Sequence, residues 1–363
     1  MLPADKNIRE NNGYWLLTLF FPIAILGKVI RWTILKATLA DMSIGHGMAP
    51  AINSGNVHFA FMTGDATANA NYIFSPLKFF GCISFEQYEI AISIIYNLLI
   101  FWIVYDFAKR NGGLSMFQFI VLAFFIGVLN VYTFTLAKEP AQMLYYFLMY
   151  PVLRSGLSST RKWIVCLCIV VFMIACTRTY LVIMLMFAVA FKILFPWLYS
   201  HTRQNAVLSL ALMFLVAGLI YFVFLSLIKV VSPVDYVELI RVRLRESEAT
   251  TDIRAVIPSQ TLPLFALNYL ITSLRLLFPI EMIIFGPKYL LCAVFQVLVS
   301  CSTIYYTLNF HRVSATKQLV LCLFWGFLFC SASFEPDFGS WIRHESVVFP
   351  FLIYLFDNDD LSL

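Results

Sequence analysis

Phe334-Glu335-Pro336-Asp337-Phe338-Gly339-Ser340-Trp341-Ile342-Arg343-His344-Glu345 lies between two apolar runs, Leu319–Cys330 and Val347–Phe356. The insertion holds three acids, an arginine and a histidine. Ionisable side chains beside a bilayer are expensive and are usually kept for function. The flanking runs decide the fold class, because they recur along the whole chain. Of the 363 residues, 61% are hydrophobic and 12% charged, against about 25% charged in soluble domains. Such a chain crosses a membrane several times.

Working outward from that stretch, apolar segments fall at about 14–34, 90–107, 116–136, 141–153, 163–176, 180–199, 206–227, 289–308, 319–333 and 347–356. The expected fold is an all-α polytopic membrane protein with about ten transmembrane helices. It forms a single integral membrane domain over 1–363. Three stretches separate the spans as outer loops: 38–87, 232–285 and 334–346. Leu264–Phe278 carries Arg275 and reads as an interfacial or re-entrant helix. The first span carries Lys28 and Arg31 in its second half, so these snorkel to the interface or line a polar cavity. Tyr14–Gly27 resembles a signal sequence core; it is expected to stay as an anchor, although Ala37–Ala40 imitates a cleavage site.

The net charge of +5 reflects membrane orientation, and no Lys/Arg-rich tract outside the loops points to nucleic acid. With the N-terminus in the cytoplasm, the loops holding Lys109/Arg110, Arg154/Arg161/Lys162, Arg203 and Arg312/Lys317 all face inward, as the positive-inside rule requires. Asp65, Lys138, Glu139, Arg178, Arg241–Arg254, Arg275, Glu281, Glu335, Asp337, Arg343 and His344 then gather on one outer face. Ala141–Leu153 and Trp163–Cys176 are too short to span a core about 30 Å thick. Glu139 and Arg178 should therefore lie below the membrane surface, in an outward-open cavity or as a buried pair that locks helices.

Seven of the eight cysteines fall in apolar runs, where cysteine behaves as a small hydrophobe. No CxxC or HExxH appears, and the five histidines are scattered, so no protein-built metal site is expected. Asp357–Asp359 has DxD spacing but reads as a solvated acidic tail. No Gly-rich phosphate loop appears, against ATP-driven transport.

Arginine dominates the outer face. A guanidinium offers phosphate a planar fork of donors and stays charged when partly desolvated. A pyrophosphate-linked lipid suits such a site, and a solvated helix over 235–248 that pairs Arg with Glu is the alternative for the 241–245 cluster. Glycosyl transfer also needs a group that takes the acceptor's proton. Glu139, Glu335, Asp337, His344 and Asp65 are available for that task.

Asp65…Tyr72 in the first outer loop, Lys138-Glu139-Pro140, Arg178 at a span end, the arginine-bearing late loop and Asp337-Phe338-Gly339…Trp341-Ile342-Arg343-His344 together resemble the Wzy-type, EpsG-like polymerases of bacterial surface polysaccharide (O-antigen, capsule or exopolysaccharide). The resemblance implies a GT-C-related membrane glycosyltransferase in the bacterial plasma (inner) membrane, with its site facing the periplasm or exterior. It implies that undecaprenyl-pyrophosphate-linked oligosaccharide units are joined without metal, nucleotide or other cofactor. Glu139, Asp337 and His344 would then activate or orient the acceptor. Asp65, Lys138, Arg178, Arg241, Arg245, Arg275 and Arg343 would bind substrate. The bilayer, flippase proteins and chain-length regulators would be its partners. A GT-C enzyme using a polyprenyl-phosphate sugar, a glycan acyltransferase and a lipid-linked glycan transporter remain open, although no internal repeat of the transporter kind is visible.

Overall fold

A computed structural model describes residues 3–35, 41–228, 237, 251–257, 261–286 and 289–357, with side chains for all of these except 3–6, 35, 41–45, 180 and 228. The helices in chain order begin with α1 (Pro3–Ile30), α2 (Asp41–Asn53), α3 (Ala66–Phe74) and α4 (Phe85–Arg110). Next come α5 (Met116–Val128), α6 (Lys138–Arg154), α7 (Ser159–Cys176), α8 (Val182–His201) and α9 (Ala206–Ile228). The remainder are α10 (Leu262–Leu277), α11 (Glu281–Ile284), α12 (Leu290–Leu308), α13 (Ala315–Phe334), α14 (Phe338–Ser346) and α15 (Phe349–Leu352). Among the described residues there is no β-strand, only one isolated antiparallel bridge between Asp252 and Asp337. The chain is an all-helical, multi-pass membrane protein. Among the described residues eight helices are long and apolar enough to cross a bilayer.

Among the described residues two of the expected spans, 141–153 and 347–356, do not form helices of that length. The run 347–356 does not form a long helix: α15 is followed directly by a 3₁₀ turn over Ile353–Phe356. Pro350 at the start of α15 lacks the amide that a longer helix through it would need. α6 has 17 residues and is shorter than the eight. α7 corrects the reading in the other direction. It begins at Ser159, ahead of Arg161 and Lys162, and its 18 residues reach spanning length. α10 is an apolar helix of 16 residues. The stretch 38–87 is not a plain loop, since α2 and α3 fill much of it. Ala37–Ala40 and Arg241–Arg245 lie outside the described residues.

The chain divides into two compact units, Met1–Thr179 with Arg343–Asn358, and Tyr180–Ile342. In the first, α4 and α5 each start with a reciprocal capping box. Ser84 Oγ accepts from Gln87 N while Gln87 Oε1 accepts from Ser84 N, and Ser115 with Gln118 repeat the arrangement. α1 packs along α5 and α4. The close approach is set by Gly27, where a Cβ would lie 2.9 Å from Asn130 Cβ and 3.1 Å from Gly127 O. Both α1 and α5 end in a π-helical turn, Arg31–Leu35 and Leu129–Thr133, and the two turns touch. α6 packs against α3, α7 and α15.

In the second unit α13 is the central helix, packed by α8, α10 and α12. A Cβ on Gly326 would overlap the Met184 carbonyl oxygen and lie 2.7 Å from Ala188 N, so α8 and α13 meet backbone to backbone. Small residues permit this kind of contact in membrane helices. Around it Trp325 stacks on Phe191 with centroids 5.8 Å apart, and its Nε1 donates to Thr307 Oγ1 at 2.8 Å.

Gly326→Val is expected to lower the thermal midpoint in detergent, at an overpacking cost of about 1–3 kcal/mol or more. Gly127→Ala, with open space around it, should be neutral or slightly stabilising because alanine is the better helix former. Paired melting curves of the two variants check this.

Candidate functional site

The first unit gathers charge where α4 and α6 begin and α1, α5 and α7 end. Glu139 sits in the first turn of α6 and is 1% exposed. Its Oε1 lies within hydrogen-bond distance of Arg178 Nη2 at 3.2 Å and His344 Nε2 at 3.3 Å, and forms an ion pair with Arg343 at 3.4 Å from Nε. Arg178 follows the end of α7, and Arg343 and His344 lie on α14. Three residues from two distant parts of the sequence therefore share one carboxylate oxygen. Burial alone raises the Glu139 carboxyl. The Arg343 charge, the His344 hydrogen bond and the Lys138 and Arg178 charges outweigh it and hold the group well below the usual carboxylate range.

His344 Nε2 also lies 2.7 Å from Arg178 Nη2. A guanidinium only donates, so that contact uses the nitrogen lone pair. A carboxylate only accepts, so the contact with Glu139 uses Nε2–H. One tautomer cannot meet both demands. Nε2 therefore satisfies one of these two neighbours at a time.

A second buried ion cluster stands at the same end. Glu89 Oε1 accepts from Lys28 Nζ at 2.9 Å and from Arg31 Nε at 2.6 Å, and Glu89 and Arg31 are fully buried. Arg31 also donates to Val131 O at 3.0 Å and to Thr135 Oγ1 at 3.1 Å, and Lys28 donates to Phe134 O. Val131 O lies in the π-helical turn that follows α5, and Phe134 O comes directly after it. Lys28 and Arg31 therefore neither snorkel nor face water; they are held by a buried acid. Sequence reasoning missed Glu89, because the span was started at Ile90. The Ser84–Gln87 capping signature marks a helix start five residues earlier.

The other sequence candidates are placed as follows. Asp65 caps α3, accepting from Ala68 N at 2.9 Å. Lys138 precedes Glu139 and adds positive charge to it. In the second unit, Asp337 precedes α14 and accepts from Ser340 N at 2.8 Å and Ser340 Oγ at 2.9 Å, the pattern of a helix cap. The adjacent segment is strapped on by Ile253 N donating to Pro336 O and Phe338 N donating to Thr251 O. Arg275 Nε pairs with Glu281 Oε1 at 2.7 Å, its Nη1 donates to Arg254 O, and its guanidinium lies over the Phe338 ring. Arg241 and Arg245 fall outside the described residues. Among the described residues no group of three His, Cys, Asp or Glu gathers as metal ligands.

At the opposite end of the first unit, Asp106 accepts from Arg154 Nη1 at 2.9 Å, Arg110 Nε at 3.2 Å and the Tyr150 hydroxyl at 2.7 Å. Arg110 Nη1 pairs with Asp357 Oδ2 at 3.0 Å, so Asp357 is an anchored residue and not part of a solvated tail.

No protein-family model, no curated protein and no solved structure matches the chain.

Removing either buried carboxylate leaves guanidinium charge without its partner, which costs about 3–5 kcal/mol. Glu139→Gln and Glu89→Gln are each expected to lower the thermal midpoint strongly. The depressed Glu139 carboxyl contributes stability that is present above the ordinary carboxylate pKa and fades as pH falls through its lowered folded value. Melting curves from neutral to acid pH should therefore show part of the wild-type acid sensitivity missing in Glu139→Gln.

Proposed function

We propose that the chain is a membrane glycosyltransferase that joins undecaprenyl-pyrophosphate-linked oligosaccharide repeat units at the outer face of a bacterial plasma membrane. The fold would be GT-C-related. The observation that carries this reading is the convergence of Arg178, Arg343 and His344 on Glu139 Oε1. Two guanidiniums beside an imidazole form a site for a phosphate group next to a proton acceptor, at a helix end of a membrane bundle.

In this reading Arg178 and Arg343 hold the donor's pyrophosphate, and Lys138 adds to the positive field. The acceptor hydroxyl oxygen bonds to the donor's anomeric carbon as the bond from that carbon to the phosphate oxygen breaks. The hydroxyl proton passes to His344 Nε2, and undecaprenyl pyrophosphate leaves with the bonding electrons. Glu139, whose Oε1 faces the same nitrogen, stabilises the imidazolium once Nε2 carries the proton. When phosphate draws Arg178 away from Nε2, the lone pair that Arg178 had occupied is released for the acceptor. The pyrophosphate is already a good leaving group, so positioning and charge stabilisation supply most of the rate.

The test is deletion of the gene in its host, gel analysis of surface and lipid-linked glycans, and complementation with wild type or Arg343→Ala. Loss of the long-chain ladder with single repeat units remaining is the expected phenotype. Arg343→Ala, at normal protein level, should fail to restore the ladder. A repeat unit lacking one sugar or acyl group would overturn the polymerase in favour of single transfer. Complete units confined to the cytoplasmic side would overturn it in favour of transport.

A further inference from the structure

The stretch between α2 and α4 exposes an unusual set of side chains for a segment outside the spans. Phe79 is 91% exposed, Phe80 84% and Ile83 68%. They are held rigidly. Asn53, the last residue of α2, accepts from Lys78 Nζ through its carbonyl at 2.6 Å, donates from Nδ2 to Ile83 O at 2.6 Å and accepts from the Tyr88 hydroxyl at 3.0 Å. The 3₁₀ turn over Ser75–Phe80 closes on Gly81, whose φ of +86° is the left-handed conformation that glycine tolerates. Asn53 thus ties the turn to the start of α4 and leaves both phenyl rings facing outward.

The depth of the turn follows from α4. Its 26 residues make a helix of about 39 Å, at about 1.5 Å per residue. The hydrocarbon core is about 30 Å thick. The remaining ~9 Å is shared between the two interfaces, so the first turn of α4 lies at headgroup level. Phe79, Phe80 and Ile83 directly precede that turn and are tethered to it by Asn53. A second apolar patch of the same segment, Phe59, Phe61 and Met62, is also exposed. It meets the end of α7: Met62 N donates to Ala175 O at 2.8 Å, and the Phe61 ring lies 6.5 Å from that of Phe172, itself exposed on a spanning helix.

We propose that residues 59–83 form a collar seated in the bilayer, with Phe79, Phe80 and Ile83 inserted among lipid chains at the interface where α4 begins. Burying a phenyl side chain gains about 1.5–3 kcal/mol. The collar also adjoins the Glu139 cluster. α3 packs on α6, and Asn69 Nδ2 donates to Cys176 O, two residues before Arg178. Lipid headgroups therefore border the edge of the site, whatever reaction occurs there.

The test uses the full chain in nanodiscs of chain-deuterated phospholipid, with benzoylphenylalanine replacing Phe79 or Phe80 in separate variants. Ile94, exposed on α4, and Asn56, exposed in the segment after α2, serve as lipid and water references. After irradiation, mass spectrometry should find deuterated lipid adducts at 79 and 80 at the level of position 94 and several-fold above position 56. Two adjacent positions guard against one variant failing to fold. Labelling at 79 and 80 no higher than at 56, or adducts to a second protein chain, would overturn the proposal.

Discussion

One carboxylate oxygen, Glu139 Oε1, joins three parts of the first unit that the chain supplies at widely separated points: the start of α6, the second residue after α7 and the end of α14. A charge taken out of water carries a desolvation penalty of several kcal/mol. In an apolar chain that penalty is met only by donors brought to it from the protein. Glu139 therefore dictates where Arg178, Arg343 and His344 must be, and with them the backbone that carries them. The same constraint explains why a polar insertion can interrupt a membrane bundle and still be buried.

The Glu89 cluster obeys the same rule with a different device. Lys28 and Arg31 lie near the end of α1, and a regular helix leaves them no free carbonyls in a neighbour. The π-helical turn after α5 supplies these acceptors, and Gly27 lets α1 come close enough to reach them. π-helical turns often mark functional sites; here the visible consequence is the satisfaction of two buried cations. The Asp106–Arg110–Arg154–Asp357 group performs the equivalent task at the other end of α4. It fastens the residue after the final 3₁₀ turn to α4, and Tyr354 adds a hydrogen bond to Tyr150 O.

Much of this was legible in the sequence for a specific reason. Glu139, Arg178, Arg343 and His344 interrupt or border apolar runs, so each is conspicuous by its expense. Glu89 was not legible, because it precedes an apolar run by a single residue and looks like the end of a loop. Helix lengths were misread where the first turn is polar: α7 starts at Ser159 and α4 at Phe85, both behind residues that composition assigns to loops. The segment 347–356 was misread in the opposite sense. Its composition is that of a span, but ten residues of helix rise only about 15 Å, and the chain folds there as short turns whose side chains are buried in the protein. Asp337 illustrates a further limit. A carboxylate three residues before a serine reads equally as an acid or as a helix cap, and only the Ser340 hydrogen bonds distinguish the cap.

A purely structural role for the Glu139 cluster meets a physical difficulty. Buried ion groups are often no more stabilising than apolar side chains of the same size, so a helix lock has no need of two guanidiniums and an imidazole on one oxygen. Nor does a lock need the contact between His344 and Arg178, which competes with the contact between His344 and Glu139 for the same nitrogen. A group designed only to be satisfied would avoid that competition. On the proposed reading, two guanidiniums beside a ring nitrogen with two incompatible partners would exchange these contacts for an anion. On that reading the guanidiniums that face Glu139 would also be the donors for a phosphate. If residues 59–83 are seated in the bilayer as proposed, the head of a lipid-borne phosphate would approach these guanidiniums from the interface that the collar occupies.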